Sequence, residues 1–228
     1  MTLMDKPPSH VFLTGGTGYI GSRLIPRLLS RGHRVSALVR PQSQGKLPAG
    51  CDVVTGNALD ALSYRDQIRP ASTFVQLVGV AHPSPAKAAE FRNIDLVAGR
   101  EAVAAAVHAG IQHFVYVSVA QPAPMMKAYL AVRAECEEAI RRSGLPATIL
   151  RPWYVLGPGH RWPYVLIPAY WLLEKLPATR DGARRLGVVT LEQTLRSLTN
   201  AIAAPRPNVR VLGVPEIRQG ILPPSGCP

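Results

Sequence analysis

Short apolar runs alternate with amphipathic stretches along most of this chain. Val11 to Leu13 is an apolar run that reads as a short buried strand and breaks into closely spaced glycines. The period then changes: Ile20, Leu24 and Leu28 recur at helical spacing, which predicts an amphipathic helix. Arg34 to Val39 predicts a second strand, Cys51 to Val54 a short third, and Ser72 to Gly79 a fourth that is fully buried. A long Ala-rich helix is expected from about Lys87 to Ala109, with Phe91, Ile94, Val97, Ala98, Glu101 and Ala105 at helical spacing. Gly110 to Ser118 predicts a fifth strand. A helix beginning near Met125 then runs to Arg142 and stops at Ser143-Gly144-Leu145-Pro146, with cations in its last turn, a glycine cap and a proline beyond. Ala147 to Pro152 predicts a sixth strand. Gly187 to Leu195 predicts a strand running into a helix that Thr190 caps and that ends near Ala204. Asn208 to Gly213 makes a last short strand, and the Pro-rich tail from Gly220 is expected to be mobile. Strands that alternate with helical patterns predict an α/β fold with a doubly wound parallel sheet.

At 228 residues the chain is long enough for one well-buried domain and short for two. The expectation is a single domain over 1–228, with 153–228 adding a reduced C-terminal cap and the tail. Hydrophobic content of 47% with 18% charged residues excludes a disordered chain. The net charge of +12 suits phosphate-bearing ligands, nucleic acid or an anionic membrane surface, or is simply a basic exterior. No dense Lys/Arg block or aromatic–basic stripe occurs, so no nucleic-acid partner is expected. Cys51, Cys136 and Cys227 are scattered without metal-ligand spacing, which predicts no metal site and a reducing, cytoplasmic location. The N-terminus shows no secretory h-region with a cleavage site. Residues 162–173 are apolar and aromatic, but fall short of the roughly 20 residues that span a bilayer. Pro163 and Pro168 break the stretch, so a lid or substrate-pocket helix is expected. A membrane-surface contact is the alternative, helped by Arg161, Lys175, Arg180, Arg184 and Arg185 around it.

The candidate chemistry begins at the glycines. Gly16-x-Gly18-x-x-Gly21 follows an apolar strand and opens a helix, which is the context of a dinucleotide-binding loop. The first glycine is expected to permit the tight turn, the second to let a pyrophosphate approach, and the third to let the helix pack on the sheet. Free N–H groups at the helix start then point at the phosphates. The end of the second strand normally selects the cofactor, an acid there binding the ribose hydroxyls of NAD. No acidic residue occurs between Asp5 and Asp52, and Arg40 sits where that acid would be, with Ser43 and Lys46 behind it. A guanidinium pairs with a 2′-phosphate, so NADP(H) is favoured and NAD(H) possible, unless Arg40 is merely a solvated surface residue.

Thr14-Gly15-x-x-Gly18-x-x-Gly21 resembles the signature of short-chain dehydrogenases/reductases, in the TGGTGYIG form of their extended and atypical branches. Those branches include sugar epimerases, NmrA-like proteins and the NAD(P)H-binding accessory subunit of respiratory complex I. The resemblance covers most of residues 10–215 and implies a Rossmann fold, with Thr14, Gly15, Gly16, Thr17, Gly18, Tyr19, Ile20 and Gly21 around the dinucleotide. It also places Asn57 and Ala58 near the adenine. Asn57 departs from the usual Gly-Asp-Leu, though its amide oxygen accepts the same bond; an ordinary turn with Asp60 capping the next helix explains the segment as well. Val78, Gly79 and Val80 fall beside the ribose, His82 reads as incidental, and Asn93 falls near a structural helix asparagine.

Gly110 to Ser118 resembles the family segment that delivers a serine to the top of the sheet. Tyr129 and Arg133 lie four apart on one helical face, where the family carries Tyr and Lys in a YxxxK frame. The resemblance makes Tyr129 the acid/base, Ser118 the group that orients the substrate oxygen, and Arg133 the cation. An ordinary tyrosine titrates near about 10 and needs a cation to act near neutrality. Lys127 is an alternative on another face. The plainer alternative buries Tyr129 in part and pairs Arg133 with Glu137. Arg151 to Gly159 resembles the RPxxVxGPG loop that closes over the nicotinamide, with Pro152, Trp153 and Tyr154 lining the site or serving as core aromatics. The implied activity is NAD(P)(H)-dependent hydride transfer to or from a small carbonyl-type substrate. The competing class is a dinucleotide-binding redox sensor or scaffold without turnover.

Overall fold

Seven parallel strands carry the fold in a computed structural model that describes residues 8–159 and 180–220. They are β1 (His10–Thr14), β2 (Arg34–Val39), β3 (Asp52–Thr55), β4 (Thr73–Gln76), β5 (His113–Val117), β6 (Ala147–Leu150) and β9 (Arg210–Leu212). Their order is β3-β2-β1-β4-β5-β6-β9, and β7 (Tyr154–Leu156) pairs separately with β8 (Val188–Thr190). Strand order reverses between β1 and β4, where Val11 pairs with Val35 on one side and Thr73 on the other. Ligands of doubly wound sheets bind in the crevice that such a reversal opens at the carboxyl ends of the strands.

Alternate residues of each strand face opposite sides, so one sheet feeds two cores. Phe12, Phe74, Phe114, Tyr116 and Ile149 face α2 (Val97–Ala109) and α3 (Lys127–Arg142). Val11, Leu13, Val75, Val115 and Leu150 face α1 (Gly21–Leu29), α5 (Leu191–Ala203) and α6 (Val214–Gln219). The six-residue α4 (Arg180–Arg185) precedes β8. Phe74 lies 5.2 Å from the Phe12 ring and 5.3 Å from the Phe114 ring. Truncating such a buried aromatic to alanine costs about 3–5 kcal/mol.

Local signals placed the end of α3 and the start of α5. Gly144 adopts φ 72° just beyond α3, as a helix-ending glycine should. Thr190 caps α5 in a full capping box with Gln193. The expected helix from Lys87 to Ala109 is a correction. It enters through a 3₁₀ turn (Pro85–Lys87) and a short α turn (Ala88–Glu90), widens into a π-helix (Phe91–Leu96), and only then becomes α2. The wide turn brings Phe91, Asp95 and Leu96 inward together, which an Ala-rich pattern does not announce. Asn93 is exposed there, and the inward polar residue is Asp95. α3 starts at Lys127 and not Met125, because Met126 takes the left-handed conformation with φ 61°. Several strands are shorter than their apolar runs; β4 leaves the ladder after Gln76.

The apolar stretch 162–173, with Arg161 and Lys175, and the tail with Cys227 lie outside the described residues. Among the described residues, no helix is long and apolar enough to cross a membrane, and no cluster of metal-ligating side chains occurs.

Candidate functional site

The glycine loop leaves β1 at the point where strand order reverses, and each glycine answers to a different neighbour. Gly15 carries the left-handed turn with φ 75°, so the residue that makes the turn is Gly15 and not Gly16 as expected. A Cβ on Gly16 would meet Leu47 Cδ2 at 2.9 Å and Ile25 Cδ1 at 3.1 Å. A Cβ on Gly21 would overlap the Gly15 carbonyl oxygen and come within 2.8 Å of Gly16 Cα, so α1 rests directly on the loop. Gly18 differs: its Cβ would meet only Gly15 O, at 3.2 Å, and otherwise stand in open space. That open backbone, with Thr17 exposed beside it, fits the approach of a pyrophosphate. Thr14 is fully buried, its hydroxyl bonded to Gln76 on β4, so it braces the crevice floor. Tyr19 and Ile20 are half-buried at the start of α1, and Tyr19 leans across the loop until its hydroxyl fills the space above Gly157.

Arg40 is exposed at the carboxyl end of β2 and leads into a 3₁₀ turn, Pro41–Lys46. Asn57 forms a local turn, its Oδ1 accepting the Leu59 N–H at 3.1 Å, while Asp60 Oδ1 accepts the Leu62 N–H at 3.0 Å. That is the ordinary-turn geometry. Ala58, beside it, is half-buried against the core. Beyond β4, Val78 and Val80 are half-buried and Gly79 is exposed.

The catalytic candidates fall into two networks. Arg133 is buried, and Glu137 is not its partner, which sets aside the alternative i,i+4 pair. Its Nη2 donates to Asp95 Oδ1 at 2.6 Å, and its Nη1 donates to Tyr116 Oη at 3.0 Å and Val117 O at 3.1 Å. The same Asp95 carboxylate accepts the Val80 N–H at 2.9 Å. One acid thus ties the loop after β4 to α3. Gly79 is glycine because a Cβ there would overlap Arg133 Nη2 and lie 3.0 Å from Asp95 Oδ1. Tyr129 rests over this pair, its ring centre 5.0 Å from the Arg133 guanidinium carbon and 4.9 Å from the Phe91 ring. Burial works against the Arg133 charge, but Tyr116, Tyr129 and Asp95 outweigh it and hold the guanidinium above its ordinary pKa. Burial pushes the Asp95 carboxyl up, with Arg133 and the Val80 N–H pulling it back. Asp95 was not foreseen, although its spacing from Phe91 on one helical face was a signal.

Ser118 belongs to the second network. It is 4% exposed, and its hydroxyl donates to Glu137 Oε1 at 2.6 Å. Glu137, fully buried, also accepts from Gln121 at 3.0 Å, Arg141 at 3.0 Å and Arg151 at 2.9 and 2.5 Å. Lys127 is exposed at the start of α3. Pro152 is buried behind β6, its carbonyl accepting the Ala120 N–H at 2.9 Å. Trp153 and Tyr154 meet edge to face, ring centres 5.5 Å apart, and both are half-buried. Cavity volume alone would mislead here. A cavity of about 800 Å³ opens at the opposite edge of the sheet, at the amino ends of β1, β4 and β5 beside His10, Thr73 and His113.

Similarity to known proteins bears on the family and the fold. The family model described as NAD(P)H-binding matches residues 15–166. The chain is 30% identical over 156 residues to a ceramide reductase of Caulobacter vibrioides, covering 65% of this chain and 47% of that protein. It is 28% identical over 173 residues to the 4-hydroxy-2-methyl-3-oxo-4-farnesyl-3,4-dihydroquinoline-1-oxide ketoreductase of Stigmatella aurantiaca, covering 65% and 51%. The chain therefore spans about half the length of these curated relatives. Among solved structures, MoeE5 in complex with UDP-glucuronic acid and NAD superposes with a TM-score of 0.68 at 22% identity, covering 90% of this chain and 76% of that one.

Proposed function

The chain belongs to the NAD(P)H-binding family, of the atypical short-chain dehydrogenase/reductase type, and from that premise we propose that it is an oxidoreductase acting on a small carbonyl-type substrate. The observation that carries the reading is Tyr129, half-buried over an arginine that three acceptors hold in place. When bound, a reduced nicotinamide supplies the hydride at C4. As the substrate carbon receives it, Tyr129 Oη gives its proton to the carbonyl oxygen, so the product is a neutral alcohol. The phenolate left behind faces the Arg133 charge, which is already in place when negative charge develops. Water then returns the proton. Both curated relatives described above are named as reductases, which supports the class.

NADPH is the proposed cofactor, from Arg40 at the end of β2 and the acid-free stretch before Asp52. A charge-assisted bond to a 2′-phosphate contributes about 1.5–3 kcal/mol. In this reading 153–228 contributes the reduced substrate-side cap, while its α5, β9 and α6 complete the central fold, and the free thiols of Cys51 and Cys136 fit the cytoplasm.

The test is Tyr129→Phe. NADPH should bind as tightly as to the parent in calorimetry, and more tightly than NADH. Carbonyl reduction should fall by roughly 10²–10⁴-fold. A variant that keeps the parent's rate removes Tyr129 from the chemistry. A second reading is dinucleotide binding without turnover, as a redox sensor or scaffold. Ser118 favours it, because the hydroxyl that would orient a substrate oxygen is committed to Glu137. A parent that binds NADPH and reduces no carbonyl compound selects this reading.

A further inference from the structure

The Ser118–Glu137 network has an outer side. Above Arg151 a cavity of about 370 Å³ opens between Gln121, Gly213 and Arg185. A second cavity of about 480 Å³ shares Arg184 and Pro215 with it and reaches Arg218. The first lies at the carboxyl edge of the sheet: Gln121 follows β5, Arg151 follows β6 and Gly213 follows β9. It stands on the far side of β5 from the glycine loop, so it is separate from the pyrophosphate seat.

The lining is one-sided in charge. Among the described lining residues of the first cavity, Arg151, Arg184 and Arg185 stand with one acid, Asp181. Arg151 is already matched by Glu137. Arg185 is anchored differently, its Nε donating to the Pro122 carbonyl at 3.1 Å. A carbonyl positions a guanidinium without cancelling its charge. Glu216, the acid on α6, is turned to the Gly213 N–H at 2.8 Å. Arginines held this way match the planar, paired acceptors of a carboxylate or phosphate.

We propose that this basic double cavity binds an oxyanion, the phosphate or carboxylate end of the carbonyl compound that the protein reduces. The part of the inference that says substrate rests on the oxidoreductase reading; the oxyanion site itself does not. An anionic end held here leaves the rest of the molecule to extend over the carboxyl edge toward Tyr129.

The experiment uses the full chain saturated with NADPH, so that the glycine loop is filled, and inorganic pyrophosphate as the calorimetric probe. Arg184→Glu should weaken pyrophosphate roughly tenfold or more. Arg92→Glu, the same charge reversal on the exposed side of the π turn, should leave it within about twofold. Equal losses in the two variants, or no binding to the parent, would overturn the site. A keto acid and its methyl ester then test the substrate. The parent should prefer the acid, and Arg184→Gln should raise KM for the acid without a matching loss on the ester. An ester reduced as well as its acid by the parent overturns the assignment to substrate. If neither compound is reduced while pyrophosphate still separates the two variants, the oxyanion site stands and the turnover reading alone falls.

Discussion

Arg133 stands where a YxxxK frame would place lysine, and its neighbours show why an arginine fits. The planar guanidinium reaches Asp95, Tyr116 and the Val117 carbonyl at once, which a single ammonium at the end of a flexible stem does not reproduce. Asp95→Asn would leave that charge buried with half its partner gone. The expected loss is about 3–5 kcal/mol of stability, read from denaturant melts. Because Asp95 also holds the Val80 N–H, turnover of the folded fraction should fall through kcat as well as KM. A fall confined to the amount of folded protein would make the pair structural only. The spacing of Tyr129 and Arg133 was legible in the sequence. Their partners were not, since Asp95 is 38 residues from Arg133 and helix-spacing rules see only near neighbours along one helix.

At the scale of elements, the loop between β1 and α1 makes two glycines separable. Gly21→Ala forces a methyl into the Gly15 carbonyl, so both stability and NADPH binding should drop. Gly18→Ala meets only Gly15 O at 3.2 Å. It should melt close to the parent, yet lose NADPH affinity by roughly tenfold or more as the methyl enters the phosphate path. Matching melting and binding losses in the two variants would contradict this division. The strands were legible because buried parallel strands are continuous apolar runs. Their ends were overshot where apolar residues serve the crevice and not the ladder, as with Leu77 and Val78 beyond β4. The π turn was invisible for the opposite reason: its sequence reads as ordinary helix, and only the burial of Asp95 against Arg133 shows the extra width.

Across the whole molecule, Glu137 joins α3, β6 and the loop after β5 through one buried carboxylate. Burial alone would raise its pKa, but hydrogen bonds from Arg151 and Ser118 outweigh that and hold it below the ordinary value. A depressed carboxylate is protonated more readily unfolded than folded. Its stabilising contribution is therefore full above the unfolded value of about 4.3 and is lost as pH falls through the folded value. The stability gap between the parent and Glu137→Gln should shrink as urea melts are moved from about pH 6 to below pH 4. Comparing the two proteins cancels the opposite contribution of Asp95, which burial raises. A gap that stays constant over that range would mean Glu137 gains nothing from its charge. The doubly wound parallel class followed from alternation and the glycine loop, and the order of the strands came only with the structure. The two acid-centred networks did not follow either, because they join residues that only the folded sheet makes neighbours.

Gly79 has a further consequence, one that concerns ancestry. Its backbone needs no special angle; the space for a side chain is taken by Arg133 and Asp95. A lineage carrying this arginine takes alanine at 79 only by displacing a guanidinium that three acceptors hold. A lineage that first exchanged Arg133 for a smaller cation avoids that displacement, and once alanine is in place the return to arginine carries the same cost. Gly79→Ala should accordingly cost less in an Arg133→Lys background than alone, a non-additivity visible in paired melting curves. The two positions form a turnstile through which descent passes in one order.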